Sequence, residues 1–111
     1  NALETDQDRD GGWRRAVNGF VGGAYADFIA RFDAVLFLRA PSFDVVLDWR
    51  CQQEADLLGV PPADLPAAER ARLAAFIQYF ERITRRMLDG GVKADVVVQL
   101  DRNRLPGSMD A

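Results

Sequence analysis

The chain contains no histidine among its 111 residues and only one cysteine, Cys51. The missing histidine excludes imidazole acid–base catalysis and histidine-ligated metal sites within this sequence. A single cysteine cannot form an internal disulfide, and no zinc-ligand spacing surrounds it. We expect Cys51 to pack as a small residue within a helix rather than to act as a reactive thiol.

Long apolar runs and basic tracts are also missing. No segment approaches the roughly 20 apolar residues that cross a membrane, and the first residues do not form a charged-then-apolar leader. The 14 basic and 17 acidic residues give a net charge of −3 and are scattered along the chain. This distribution argues against a nucleic-acid-binding surface. Together these absences predict a cytoplasmic protein.

Hydrophobic residues make up 49% of the chain, enough for a modest core in one domain or part of one. The polar start, residues 1–12, opens on Asn1 and is typical of the middle of a protein, so a cleaved or truncated product is one interpretation. A D-x-D-x-D-G motif from Asp6 resembles half of a calcium loop, but Val17 stands where the bidentate glutamate belongs. We therefore predict a solvated loop without a metal, ending in an Asp10 helix cap.

The next segments predict a helix, a strand and a second helix. Apolar residues recur at helical spacing between Trp13 and Phe32, which predicts one helix over this range. The apolar run at residues 33–39 predicts a strand buried on both faces, as in a parallel sheet. The second helix is expected to be capped by Ser42 and to end at Gly59.

The longest helical pattern follows an exposed, lid-like, proline-rich connection at residues 59–65. We expect this helix to be capped by Asp64, with Pro66 just inside it, and to extend to about residue 89. Its apolar stripe consists of Leu73, Phe76, Ile77, Phe80, Ile83, Met87 and Leu88. The helical region as a whole, residues 42–89, therefore joins two strands.

The second strand is predicted at residues 94–101, where β-branched residues are concentrated. Gly90-Gly91 before it supplies the left-handed end that such a helix needs. Residues 102–111 are expected to form a loose tail.

The predicted fold class is α/β, with two parallel strands at about 33–39 and 94–100 and three helices. Strands separated by a long helical crossover run parallel to each other. Two such strands do not form a stable sheet by themselves. We therefore expect another chain or a missing N-terminal half to complete the fold, and self-association through the exposed strand at residues 33–38.

Several short motifs, taken in order, resemble one protein family. They are N-x-L-E at the start, W-R-x-x-V-N, Y-A-D-F, D-A-V-L-F-L-R-A-P-x-F, W-R-C-Q-Q-E, F-I-Q-Y-F-E-R-I-T-R and A-D-V-V-V-Q-L-D. Together they resemble the C-terminal half of bacterial P-loop small-molecule kinases of the uridine kinase, phosphoribulokinase and glycerate kinase group. The resemblance covers nearly the whole chain.

The resemblance implies a three-layer fold with five parallel strands in the order 2-3-1-4-5, in which residues 33–39 and 94–100 are the fourth and fifth. It also implies a mobile lid whose arginines approach the nucleotide phosphates. The matching lid residues are Arg50, Arg82, Arg85 and Arg86. The matching substrate-side residues are Asn1 and Glu4. Arginine suits a phosphate site because its planar guanidinium group binds phosphate oxygens bidentately.

The activity that the resemblance implies is ATP-dependent phosphorylation of a hydroxyl group on a sugar, glycerate or nucleoside-like metabolite. ATP and Mg²⁺ are then cofactors of the full-length parent. The glycine-rich loop ending in Gly-Lys-Ser/Thr is absent from the sequence. Since that loop cradles the triphosphate, we expect this chain alone to be inactive and to need no cofactor.

Simpler interpretations stand beside the kinase prediction. Glu81 and Arg85 are four residues apart and can form an ordinary exposed ion pair on a helix. The chain can also be interpreted as a non-catalytic interaction or dimerisation module, or as a regulatory protein derived from the kinase fold.

Overall fold

The structure, a computed structural model, describes residues 1–110. The helices are α1 (Ala2–Gln7), α2 (Gly12–Gly22), α3 (Ala24–Ile29), α4 (Val45–Leu58), α5 (Ala67–Phe76) and α6 (Glu81–Arg86). The strands are β1 (Leu36–Arg39), β2 (Val96–Leu100) and β3 (Pro106–Asp110). Short turns of 3₁₀ helix lie at Pro62–Asp64 and Ile77–Tyr79, and a π-type turn lies at Met87–Gly91.

The sheet confirms the predicted parallel pair and the mixed α/β class. β1 and β2 run parallel, with Leu36 beside Val96 and Arg39 beside Gln99. The crossover between them contains α4, α5 and α6. β2 lies at the centre of the three-stranded sheet, with β1 at one edge and β3 at the other.

The prediction of a loose tail after residue 101 is wrong. The Asp101 carboxylate accepts hydrogen bonds from the N–H groups of Asn103 at 2.8 Å and Leu105 at 2.9 Å. These bonds close a side-chain-stabilised turn of the kind that aspartate favours. The chain then returns as β3, antiparallel to β2, with Met109 beside Val98.

The prediction of a loop over residues 1–12 is also wrong, because α1 occupies half of this range. The side chain of Asn1 accepts the N–H of Glu4 at 3.0 Å, and the Glu4 carboxylate accepts from the Asn1 amino group at 3.0 Å. This reciprocal arrangement is a capping box, which stabilises the start of a helix. The N-x-x-E spacing is the sequence signal for it.

Two aspartates satisfy the free N–H groups at the start of α2. Asp10 accepts the N–H of Gly12 at 3.0 Å, but the N-cap residue of α2 is Gly11, so the predicted Asp10 cap is wrong. Asp8 accepts the N–H groups of Trp13 at 2.9 Å and Arg14 at 3.0 Å. The first residues of a helix have no partners within the helix for these donors, so both aspartates stabilise its start.

The helix predicted over residues 13–32 is divided into α2 and α3. The break falls at Gly23, whose dihedral angles (φ −114°, ψ −106°) leave the helical region. A Cβ atom at Gly23 would lie 2.9 Å from the carbonyl oxygen of Gly19. The turn therefore places the backbone of Gly23 in close contact with the backbone of Gly19. Gly19 and Gly22, which look equivalent in the sequence, have nothing within 4 Å of such an atom.

The long helix predicted from Asp64 is likewise divided. Asp64 belongs to a 3₁₀ turn and Pro66 has extended dihedral angles (φ −57°, ψ 143°), so the helix begins only after the proline. Phe80 (φ −118°, ψ 5°) then separates α5 and its 3₁₀ turn from α6. The predicted end is confirmed, because Gly90 has a left-handed φ of +92°.

Helix α4 ends where it was predicted to end and begins two residues later than expected. Gly59 has a left-handed φ of +70°. At the other end Asp44, not Ser42, is the N-cap residue, and the Ser42 hydroxyl instead hydrogen-bonds the Asp44 carboxylate. Cys51 is buried within this helix, which confirms its predicted packing.

The core lies between one face of the sheet and the crossover helices. Its buried cluster consists of Phe43, Ile77 and Leu88. Phe37 of β1 packs against this cluster. Arg39 lies on the same face of β1 and donates to the Leu88 carbonyl at 3.1 Å and to the Gln99 side chain at 3.1 Å.

The described residues form a flat body. Its extents are 42 × 40 × 21 Å and its radius of gyration is 16.3 Å, against about 13 Å for a compact domain of this length. The difference shows that the described residues are less compact than a typical domain of this length, and α2 and α3 contact mainly each other. No helix within residues 1–110 is both long and apolar enough to cross a membrane.

Candidate functional site

The arginines predicted for the lid have different surroundings. Arg85 on α6 donates to Glu81 at 2.9 Å, and its guanidinium carbon lies 4.7 Å from the centre of the Phe43 ring. These contacts match the simple ion-pair interpretation. Arg86, the next residue, is exposed. The other two predicted arginines, Arg50 and Arg82, each border a distinct cavity.

Arg50 borders an open groove beside α4. Its guanidinium group donates to Gln53 at 2.8 Å, lies 3.8 Å from the Glu54 carboxylate, and sits 5.8 Å from the centre of the Phe76 ring. The groove has a volume of about 510 Å³. Its lining residues are Val46, Trp49, Arg50, Gln53, Asp56 and Arg104.

Arg104 provides a second guanidinium group to this groove. It stacks 5.5 Å from the centre of the Trp49 ring and donates to the neutral Gln52 side chain at 2.6 Å. Within residues 1–110 no carboxylate lies within 4 Å of it. The Arg104 backbone has a left-handed φ of +63°, a strained conformation for a residue with a side chain. The charge of Arg104 is therefore held at the groove without a neutralising partner among the described residues.

The turn after β2 is held against α4 by two further contacts. The Trp49 indole N–H donates to the Arg102 carbonyl at 2.9 Å. The Arg102 guanidinium donates to Asp44 at 2.9 Å. These contacts place Arg104 beside α4, at the carboxyl end of β2.

Arg82 lies on the other side of the molecule's helical layer, among residues of α1 and α2. It donates to Glu4 at 3.3 Å and to Asn18 at 2.7 Å. Asn1 donates to the Gln78 carbonyl at 2.9 Å. The structure thus brings Asn1, Glu4 and Arg82 together, although Glu4 and Arg82 are 78 residues apart in the sequence.

Glu4 and Arg82 border a second pocket of about 430 Å³, whose lining includes both apolar and charged residues. Its apolar residues are Leu3, Trp13, Val17, Tyr79 and Ile83. Its polar residues are Glu4, Gln7, Asp8, Arg14 and Arg82. An apolar hollow with a few convergent polar groups is the usual form of a small-molecule site.

The two carboxylates at this pocket are held in their charged forms. Hydrogen bonds from the Asn1 backbone nitrogen and the Arg82 guanidinium lower the pKa of Glu4 against the opposing effect of burial. Burial also opposes ionisation of Asp8, but the backbone N–H groups of Trp13 and Arg14 and the Arg14 guanidinium outweigh it and lower the pKa of Asp8. Both groups can therefore accept hydrogen bonds at neutral pH.

Sequence reasoning missed Arg104, Asn18 and the Asp8–Arg14 pair. Arg104 was assigned to a loose tail, although the D-x-N spacing at Asp101 is a known turn signal. No local pattern marks Asn18 as a partner of Arg82, because that contact depends on how α2 and α6 pack.

No protein-family model matches the chain, and neither a curated protein nor a solved structure shows a significant similarity to it. Among residues 1–110, no group of three or more cysteine, aspartate or glutamate side chains is arranged to hold a metal ion.

Proposed function

We propose that the chain is the C-terminal half of an ATP-dependent kinase that phosphorylates a hydroxyl group of a small metabolite. The observation that carries the proposal is the groove that Trp49, Arg50 and Arg104 line, with Arg104 stacked on the Trp49 ring. Arg104 lies in the turn after β2, and ligands of α/β proteins bind outside the carboxyl ends of parallel strands. In the proposed enzyme this groove receives the phosphates of the nucleotide.

The chemistry of phosphoryl transfer agrees with such a groove. The reaction needs positive charge near the transferred group and exclusion of water, and little covalent participation by the protein. Two guanidinium groups supply the charge, and the indole ring offers a flat apolar surface. The Glu54 carboxylate lies 3.8 Å from the Arg50 guanidinium, too far for a direct hydrogen bond, and keeps the Arg50 side chain oriented.

The parallel pairing of β1 with β2 also supports the proposal. Adjacent parallel strands joined by a helical crossover are the arrangement expected of the fourth and fifth strands of a P-loop kinase sheet. β3 adds an antiparallel edge strand, which is common in otherwise parallel sheets of α/β proteins. We thus propose the three-layer kinase fold for the parent protein on the basis of the smaller mixed α/β unit that this chain forms.

The pocket at Glu4 and Arg82 is the proposed acceptor side. Its apolar lining has room for a small metabolite, and its ionised Glu4 can accept a hydrogen bond from a hydroxyl group. Asn1, which caps α1 and contacts the Gln78 carbonyl, fixes the position of Glu4. In this arrangement Arg82 orients Glu4, while the phosphate-binding role falls first on Arg50.

The chain alone is expected to bind phosphates weakly and to transfer none, since the sequence lacks a Gly-Lys-Ser/Thr loop. The test of activity therefore uses the complete reading frame that encodes residues 1–111. We expect a Gly-Lys-Ser/Thr loop upstream of Asn1 and Mg²⁺-dependent consumption of ATP with a sugar, glycerate or nucleoside acceptor. Arg50→Ala should lower kcat/KM by about 100-fold, the loss expected for one transition-state contact.

The matched control is Arg31→Ala, which removes an exposed arginine from outside both pockets. Its kcat/KM should stay within about twofold of the parent enzyme, as for most exposed positions. Absence of ATP-dependent transfer to every acceptor class would reject the kinase proposal. Equal activity of the Arg50→Ala and Arg31→Ala enzymes would remove Arg50 from the site.

A second candidate function, a dimerisation module or regulatory protein built on the same fold, is favoured by the outer edge of β1. No strand within residues 1–110 pairs with that edge, and unpaired edges are templates for strand addition. Two copies joined there about a twofold axis would form a continuous sheet. Light scattering tests this candidate, and a monomer at high concentration would contradict it.

A further inference from the structure

The segment before the sheet forms an aromatic arm, which we define as residues 12–32. Trp13 and Phe20 on α2 are 74% and 69% exposed, and Tyr25, Phe28 and Phe32 are 59%, 52% and 55% exposed. α2 and α3 pack mainly on each other rather than on the sheet. Phe28 and Phe32 contact each other edge to face at 5.4 Å. The arm therefore carries an apolar stripe with little cover from residues 1–110.

A second uncovered apolar surface lies on β1. Leu36 and Leu38 are 58% and 55% exposed, and they share one face of the strand because side chains alternate. The opposite face carries Phe37 and Arg39, which contact the core and the Leu88 carbonyl. We call the Leu36–Leu38 side the open face of β1. Strands of parallel sheets are normally covered on both faces, whereas Leu36 and Leu38 are more than half exposed, although Val98 beside Leu38 is buried.

The aromatic arm and the open face of β1 together expose a large apolar area. Large aromatic side chains each bury roughly 150–250 Å² in a core, so five at these exposures and the two leucines present on the order of 800 Å². A stable protein–protein interface buries about 800 Å² on each partner. One copy of this chain therefore presents the area that one side of a dimer needs.

We infer that two copies of this chain associate by exchanging aromatic arms, the arm of each copy covering the open face of β1 of the other. An amphipathic helix and an uncovered sheet face are the two layers that bury each other in α/β folds. One chain exposes both surfaces. In a twofold dimer the arm of each copy covers the open face of the other, so both arms and both open faces are buried. Such an exchange of an identical element needs no new complementary surface.

The charges of the two surfaces agree with this assignment. The aromatic arm contains three arginines and one aspartate, a net charge of +2, whereas the rest of the chain carries −5 of the total of −3. Asp33 and Asp95 lie at the amino ends of β1 and β2. Arg14 is already paired with Asp8 in its own chain, so the opposite net charges of the arm and of the rest of the chain favour the encounter of two copies only through long-range attraction. The inference uses none of the polar groups of either pocket, although Trp13 of the aromatic arm also lines the pocket at Glu4 and Arg82.

Light scattering and sedimentation of the intact chain test the association. We expect twice the chain mass at tens of micromolar, and Phe28→Asp should weaken the dimer at least about tenfold, since it places a charge in an apolar interface. Ala30→Asp adds the same charge on the opposite side of the arm and should change the dissociation constant less than about twofold. Far-ultraviolet circular dichroism verifies that both variants are folded.

Cysteine pairing identifies the surfaces in contact. A Phe28→Cys chain is mixed with a Leu38→Cys chain of different mass, and a disulfide between them requires Cα atoms within about 7 Å. We expect the mixed disulfide to form several times faster than with an Ala30→Cys chain. The wild-type chain, whose only thiol is the buried Cys51, is the blank.

Three outcomes would overturn the inference. The first is a monomer at every concentration. The second is a dimer whose dissociation constant is the same with Phe28→Asp as with Ala30→Asp. The third is a disulfide that forms only within a Phe28→Cys/Leu38→Cys double variant, which would show that each arm covers its own strand.

Discussion

The Asp8 carboxylate accepts hydrogen bonds from the backbone N–H groups of Trp13 and Arg14 and from the Arg14 guanidinium at 3.0 Å. These partners lower the pKa of Asp8 despite its burial. A lowered folded-state pKa means that the stabilisation is complete above the unfolded value, near 4, and is lost as pH falls through the folded value. We predict that Asp8→Asn flattens the decline of stability between about pH 5 and 2.

Urea unfolding at a series of pH values measures this effect. Asp6→Asn is the control, because the Asp6 side chain accepts no hydrogen bond within residues 1–110 and is exposed. Asp6→Asn removes the charge of an aspartate two positions from Asp8 and leaves the hydrogen bonds at the start of α2 unchanged. Parallel pH profiles for the wild type and Asp8→Asn would show that Asp8 does not contribute in this way.

Arg39 connects the end of β1 to the rest of the core. Its guanidinium group donates to the Leu88 carbonyl and to the Gln99 side chain, both at 3.1 Å. Arg39→Met keeps an unbranched apolar side chain but leaves both acceptors without this donor, so we predict a loss of about 1–3 kcal/mol in the free energy of unfolding. Denaturant titration measures the loss. Arg31→Met, at an exposed position, should cost less than about 0.5 kcal/mol, and equal losses would contradict the prediction.

At the scale of the element, the break between α2 and α3 depends on one glycine of three. A Cβ atom at Gly23 would meet the Gly19 carbonyl oxygen at 2.9 Å, whereas one at Gly19 would meet nothing within 4 Å. We predict that Gly19→Ala stabilises the chain by about 0.5–1 kcal/mol, the usual gain within a helix. Gly23→Ala should destabilise it, because the backbone must move to relieve the contact. Thermal unfolding of the two variants gives the comparison, and stabilisation by both would contradict the assigned break.

The sequence predicts elements best where one local signal decides the conformation. Gly59 and Gly90 both adopt left-handed φ values at helix ends, as their positions predict. The break at Phe80 has no such signal, because its aromatic side chain fits the predicted apolar stripe. β3 begins with Pro106-Gly107, residues that are poor in strands, and the proline is tolerated because the strand lies at an edge. Its existence depends on pairing with β2.

The residues of the candidate site were likewise predicted only in part. The family resemblance singles out Arg50, and the structure places it at a groove. Arg104 and Trp49 join it there through the turn after β2, a contact between segments more than 50 residues apart. Such contacts follow from tertiary packing rather than from local pattern. The resemblance therefore pointed to one of the residues that line the groove and not to its neighbours there.

At the scale of the whole molecule, thermal stability should depend on protein concentration. The flat shape and the uncovered aromatic arm imply that part of the apolar burial occurs between copies. When unfolding is coupled to dissociation, a hundredfold rise in concentration stabilises the dimer by about 2.7 kcal/mol. For a chain of this size we predict a rise of several degrees in Tm. Phe28→Asp, which weakens arm exchange, should show a smaller rise in Tm over this range, whereas Ala30→Asp should retain the full dependence. Calorimetry at about 5 and 500 μM separates the two, since mass action acts only on an unfolding step that changes the number of particles. A Tm that is constant for the wild type would show that the chain folds and unfolds as a monomer with its aromatic arm exposed.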